Sequence, residues 1–205
     1  MRDFDPNNLP LIDDWGLPEG LPAPPLDHPD LYLEIGCGTG DHALSFANFN
    51  PNKHLVAIER TNNKYRRFLN KFQKFKPNNL SPIQADAILW SSQYLKKNSL
   101  SGCFILYPNP YPKNKQSNLR WHNMPYFQHL ITLLKPEAQI ILATNIKDYA
   151  NELKDVVSKN HSHQLELSEL TIIDPKKIEP RTAFEKKYLL RGETCYNIIL
   201  NKSNE

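Results

Sequence analysis

Cysteine is scarce in this chain, and the three present, Cys37, Cys103 and Cys195, stand far apart with no Cys-x-x-Cys pair. An odd, scattered set argues against both a disulfide framework and a zinc site. Long apolar runs are also missing, so no stretch has the length of a membrane-spanning helix. The opening Met1-Arg2-Asp3-Phe4-Asp5 lacks the basic-then-apolar plan of a secretory leader, from which a cytoplasmic location is expected. His161-Ser162-His163 has no nearby Cys or carboxylate partner, so a solvated loop is expected there and no metal site. Glycine is sparse as well, seven in 205 residues, and a local cluster of it requires a backbone cause.

Basic residues are almost absent from the first 30 positions, where Arg2 faces seven acids. With a formal net charge of +3 overall, the rest of the chain is therefore clearly basic, as a polyanion-binding body is, although surface lysines also serve solubility. The same 30 residues hold seven of the 17 prolines and no regular period. They read as an extended arm that packs through Leu9, Leu11, Ile12, Trp15 and Leu17. Residues 31–205 read as one domain.

In that domain, short apolar runs at 31–35, 54–58, 82–85, 103–107 and 139–143 are each followed by helical spacing. Strands alternating with helices imply a parallel sheet. The helical stripes are Tyr65, Phe68, Leu69, Phe72 and Phe75; Met124, Phe127, Ile131 and Leu134; and Tyr149, Leu153, Val156 and Val157. Runs at 165–173 and 195–200 follow with no full helix pattern between them, which predicts an antiparallel pair at one edge. The expected fold is α/β, a doubly wound and mostly parallel seven-stranded sheet with an antiparallel edge.

Three features fall at successive strand ends. Glu34-Ile35-Gly36-Cys37-Gly38-Thr39-Gly40 places three glycines where open α/β sheets bind nucleotide-like ligands. Glu59 ends the second strand, where a carboxylate can accept ribose hydroxyls, or can pair with Arg60 or Arg67. Asp86 follows the third, where it can meet an adenine amine or cap the next helix. The spacing resembles the class I S-adenosylmethionine-dependent methyltransferase pattern more than a dinucleotide fingerprint. After the fourth strand comes Tyr107-Pro108-Asn109-Pro110-Tyr111-Pro112-Lys113. Proline biases the residue before it to extended geometry, so Tyr107, Asn109 and Tyr111 should project from a stiff backbone suited to a planar substrate.

Taken in order, these motifs resemble the bacterial tRNA (guanine-N7-)-methyltransferases over residues 31–200. The elements that carry the resemblance are the Glu34 loop, Ile58-Glu59, Asp86-Ala87, the 107–113 stretch, Thr144-Asn145 and Thr182-Ala183-Phe184-Glu185. The resemblance implies a class I, Rossmann-like fold and S-adenosyl-L-methionine as cofactor. It implies cofactor contacts at Glu34, Gly36, Gly38, Gly40, Glu59, Asp86 and Asn109, with Glu34 at the methionine end. Lys113, Asn145, Thr182 and Glu185 would bind substrate, tRNA would be the partner, and Asn109 would occupy the catalytic position. The chain departs from the family where Asn109 and Asn145 replace Asp, where the basic cluster thins to Lys113, Lys115 and Arg120, and in its acidic arm. Two alternatives follow from these departures: an amine or other planar acceptor, as in methyltransferases with an Asn-Pro-Pro-Tyr segment, or a catalytically weak cofactor- or RNA-binding relative. Thr182 with Glu185 also has capping-box spacing, Asn145 could cap the helix after it, and the cations from Lys64 to Lys76 could be a wet helix face.

Overall fold

The computed structural model describes residues 4–12, 14–177 and 179–204; residues 1–3 and 13 of the expected arm lie outside the described residues. Alternation of apolar runs and helical stripes produces β1 (Leu31–Ile35), α1 (Asp41–Phe49), β2 (His54–Ile58), α2 (Asn62–Phe75), β3 (Leu80–Ile83) and α3 (Ala87–Tyr94). It continues through β4 (Leu100–Leu106), α4 (Pro125–Leu133), β5 (Leu134–Thr144), α5 (Lys147–Asn160), β6 (Leu165–Ile172), α6 (Ala183–Leu190) and β7 (Tyr196–Lys202). The sheet runs β3-β2-β1-β4-β5-β7-β6, with β7 antiparallel to both neighbours and the other pairings parallel. This is the expected doubly wound sheet with a reversed strand near one edge. Strand order reverses between β1 and β4, which opens a crevice at their carboxyl ends.

Local chemistry explains most boundaries. Every residue of β2 is buried, as a strand covered on both faces by helices requires. Pro82, which cannot donate to a ladder, is tolerated because β3 is an edge strand. In α2, Tyr65, Phe68 and Phe72 face the core, but Phe75 is 74% exposed because Lys76, at φ +43, ends the helix there. Pro125 opens α4, which leaves Met124 as its N-cap, and Leu134 already belongs to β5.

Three expectations need correction. A helix, α6, occupies the segment between β6 and β7; its eight residues are too few for a full stripe, and Thr182 caps it by accepting from the Glu185 amide at 3.0 Å. His161 is not solvated: it ends α5, is 3% exposed and shares a 3.1 Å hydrogen bond with Gln128 Oε1. The arm is held by more than apolar packing. Trp15 stacks on Tyr94 at 4.1 Å, while its carbonyl accepts from Trp90 Nε1 at 3.0 Å. Gln93 exchanges two 2.9 Å bonds with the Ile12 backbone, and Leu11 is left 82% exposed.

Burial keeps two histidines neutral in the fold. His54, with His28 adding to the effect, and His122 are both pushed down to about 4 from 6.5, Glu152 only partly opposing the shift at His122. Between those values the unfolded chain binds protons that the folded chain refuses, so stability falls as pH drops from 6.5 towards 4. Each histidine contributes on the order of 1–3 kcal/mol to that loss. Urea unfolding at pH 7, 5.5 and 4.5 should show the decline, and His54→Gln or His122→Leu should flatten it.

Candidate active site

The glycine loop divides its work among its residues. Gly36 and Gly38 adopt φ +71 and +60, and a Cβ added at either would meet no protein atom within 4 Å. It would instead fill the open space above the loop, where a ligand can approach the backbone. Gly40 is different: a Cβ there would lie 1.9 Å from Phe68 Cδ2, so this glycine serves the packing of α1 on α2. Gly40 is buried, and its lack of a side chain lets Phe68 pack against the loop.

Two cavities flank the loop and share Gly36, Lys64, Leu106 and Tyr107 in their walls. One, of about 310 Å³, runs past Glu59, Asp86, Asn109, Tyr111 and Trp121. The other, of about 250 Å³, is enclosed by Glu34, the 36–39 backbone, Asp41, Arg67, Thr182, Phe184 and Lys187. Together they form a trough across the carboxyl ends of β1 to β4.

Glu59 accepts from Gly38 N at 3.0 Å and from Thr61 N at 2.6 Å, so it ties the loop to the end of β2 instead of pairing with Arg60 or Arg67. Glu34 is 1% exposed, and its Oε2 accepts from His42 Nδ1 at 3.0 Å. Asp86 caps α3, accepting from Ile88 N at 2.9 Å, and pairs with Arg60 at 3.3 Å. Carboxylates at the ends of β1 and β2, open backbone at two glycines and a third carboxylate beyond β3 match the donor and acceptor set of S-adenosylmethionine. Cys37 lies in the same wall, but burial, with Glu34 and Glu59 nearby, raises its thiol pKa well above the ordinary value and keeps it protonated.

The 107–113 stretch is rigid, though not in the expected way. Tyr107 and Tyr111 precede prolines yet have φ +53 and +43, outside the extended region that proline favours. Such backbone is held only where its surroundings over-determine it. At one end, the Tyr107 amide donates to Ala143 O at 2.8 Å and its hydroxyl to Glu185 Oε1 at 2.7 Å. At the other, Arg120 Nε donates to Pro110 O at 3.1 Å and Nη2 to Tyr111 O at 2.9 Å, while Nη1 pairs with Glu152. Arg120, counted from sequence among a remaining basic cluster, is thus a clamp. Burial opposes ionisation of Glu152, but Asn123 and Arg120 outweigh it and hold its carboxyl below the usual range.

Asn109 sits exposed in the larger cavity, with Oδ1 accepting from Tyr111 N at 3.2 Å. Thr182 lines the smaller one. Glu185 lines neither: it is fully buried, and its carboxylate accepts from Arg181 and from the Tyr107 hydroxyl, so it supports Tyr107. Asn145 donates to Glu193 Oε2 at 2.7 Å, and neither it nor Lys113 lines either of these two cavities. Its alternative role as a cap is taken by Ile146. Sequence reading missed Lys64, Arg67, Phe184 and Lys187 as cavity walls and His42 as the partner of Glu34; the i, i+3 spacing of Lys64 and Arg67 gave one face but not what it faces.

This sheet and trough are those of the class I methyltransferases. The crystal structure of the 16S rRNA methyltransferase KamB shares the fold, with a TM-score of 0.64 over 86% of this chain and 89% of that one, at 16% identity. The family described as putative methyltransferase matches residues 28–198. The tRNA (guanine-N(7)-)-methyltransferase of Nitrosomonas eutropha is 31% identical over 172 residues, 83% of this chain and 75% of that protein. That of Nitrosomonas europaea is 28% identical over 94% of this chain and 88% of that protein. The chain belongs to the tRNA (guanine-N7-)-methyltransferase family and is a methyltransferase.

The Glu185 network generates a stability prediction. Glu185→Ala strands the Arg181 guanidinium and should cost about 3–5 kcal/mol. Tyr107→Phe removes one hydrogen bond and should cost only about 1–2 kcal/mol. Urea unfolding of both variants measures the difference.

Proposed function

We propose that the chain methylates guanine N7 of tRNA with S-adenosyl-L-methionine as donor. The observation that carries this reading is Asn109, fixed by its own turn beside Tyr111 in the cavity that also holds Glu59 and Asp86. Bound cofactor supplies a sulfonium methyl. In this reading Glu59 takes the ribose, Asp86 the adenine and Glu34 the ammonium end, with Gly36 and Gly38 leaving room for it. Tyr107, held from behind by Glu185, separates the two ends of the trough and backs the reacting centre.

Guanine N7 attacks with a lone pair and has no proton to lose, so the absence of a carboxylate at 109 does not remove a required base. Because Asn109 Oδ1 accepts from the Tyr111 amide, the Nδ2 group remains as a donor. A donor matches the acceptor edge of guanine, where O6 neighbours N7, better than it matches an exocyclic amine. This favours guanine over the amine acceptor considered from sequence. Residues 31–205 act in this reading as the catalytic domain and 1–30 as an arm. The cytoplasm is its proposed compartment, and none of the described helices is long and apolar enough to cross a membrane.

Incubation of the protein with unmodified tRNA and methyl-labelled cofactor should place label at guanine N7. Label found only elsewhere rejects the assignment, and cofactor binding without turnover on any RNA supports a recognition role instead. Asn109→Asp preserves the turn and sets a carboxylate near a purine that becomes cationic, so kcat should rise. KM should rise with it through repulsion of O6. A fall in kcat would favour an amine acceptor.

A further inference from the structure

A cavity of about 690 Å³, more than twice the volume of either part of the trough, lies where the arm crosses the β3 edge of the sheet. The arm is anchored on both sides of it. Before the cavity, Gly16 O accepts from Gln84 N at 2.7 Å; after it, Pro29 O accepts from Ser101 Oγ at 3.2 Å and Asp30 O from His54 N at 2.9 Å. Between these points Leu17 packs against the core on one face of the sheet and Leu21 against the core on the other. The segment therefore bridges the edge, and Pro18, Pro22 and Pro25 stiffen it against collapse into the space beneath. Leu69 and Phe72 of α2 and Leu80 of β3 supply an apolar wall facing the bridge.

Two buried polar side chains, His54 and Ser81, interrupt the apolar lining, each 6% exposed. His54 Nε2 shares a 2.9 Å hydrogen bond with Ser81 Oγ. Burial keeps the imidazole neutral, so one ring nitrogen donates and the other accepts. Ser81 engages Nε2, and among the described residues Nδ1 has no hydrogen-bond partner. At the rim, Glu19 and Lys76 are exposed and opposite in sign, so the entrance does not select for an ion. We propose that this cavity is a second ligand site, taking a neutral and largely apolar small molecule whose one hydroxyl group bonds His54 Nδ1. A hydroxyl both donates and accepts, so it meets either tautomer of the ring. The volume falls within the roughly 300–1,000 Å³ of small-molecule pockets, which pair apolar walls with a few placed polar groups. His54 and Leu80 begin β2 and β3, so the site lies at the amino ends of strands whose carboxyl ends form the trough, and it is independent of the cofactor reading.

The probe 2-naphthol carries an apolar bicycle and one hydroxyl, and 2-methylnaphthalene has the same shape without a hydrogen-bonding group. Titration followed by naphthalene fluorescence should show saturable binding of 2-naphthol to the full chain. Leu69→Trp on α2 or Ala23→Trp on the arm fills the cavity and should weaken that binding by about tenfold or more. Ala23 is exposed, so its variant keeps the test valid if Leu69→Trp fails to fold. In the double variant His54→Phe/Ser81→Ala both members of the polar pair become apolar, which leaves neither side chain orphaned. There the affinity for 2-naphthol relative to 2-methylnaphthalene should fall by about 3- to 10-fold, the range of one hydrogen bond, and the ratio cancels the apolar contribution. Saturating S-adenosylhomocysteine should leave 2-naphthol affinity within about twofold. Absence of saturable binding, binding that both filling variants leave intact, or an unchanged affinity ratio overturns the proposal. Displacement of 2-naphthol by S-adenosylhomocysteine places the probe in the trough and overturns it as well.

Discussion

A carboxylate taken fully out of water must find cations and donors or lose its charge, and Glu185 is such a group. Arg181 meets it from four residues away and Tyr107 from 78 residues away. The result joins α6, the last helix, to the residue that leaves β4 and begins the proline stretch. Burial opposes ionisation of Glu185, yet Arg181 and Tyr107 outweigh it and hold its pKa below the ordinary value. The strained φ at Tyr107 persists because this contact and the Ala143 carbonyl fix the residue from two sides. Without that anchor, neither the wall between the two cavities nor the approach to Asn109 would be defined.

The opposite end of the stretch depends on a second clamp built from different chemistry. Arg120 spreads its guanidinium over the carbonyls of Pro110 and Tyr111, groups that no regular element satisfies. Glu152 on α5 holds Arg120 in place, and Asn123 holds Glu152 at 2.7 Å. Rigidity here comes from the side chains that close over the prolines as much as from the prolines themselves. It is the kind of support that keeps reacting groups within a fraction of an ångström.

The two departures from the family pattern have different local consequences. Asn109 keeps the turn that an Asp would make and changes only what the cavity sees. Asn145 donates to Glu193, and an Asp there would set two carboxylates against each other. The second change is thus matched to a neighbour in the loop before β7, outside the trough. Asn145 ties the end of β5 to that loop.

Much of the fold was legible because its causes are local. Apolar period placed all seven strands and the main helices, scarce glycines marked the loop, and prolines marked the stretch after β4. The ordered motifs also gave the family. Short segments were harder: α6 has too few residues for a period, and the bounds of β3 and β5 shifted because pairing partners, not propensity, set them. Tertiary structure alone decided what each side chain meets. Gly40 answers to Phe68, Arg120 to two carbonyls, Glu185 to Tyr107, and Lys64 with Arg67 to the cavity holding Glu34. Spacing along a chain fixes which face a residue occupies, but the partner on that face comes from a distant segment brought there by the sheet order.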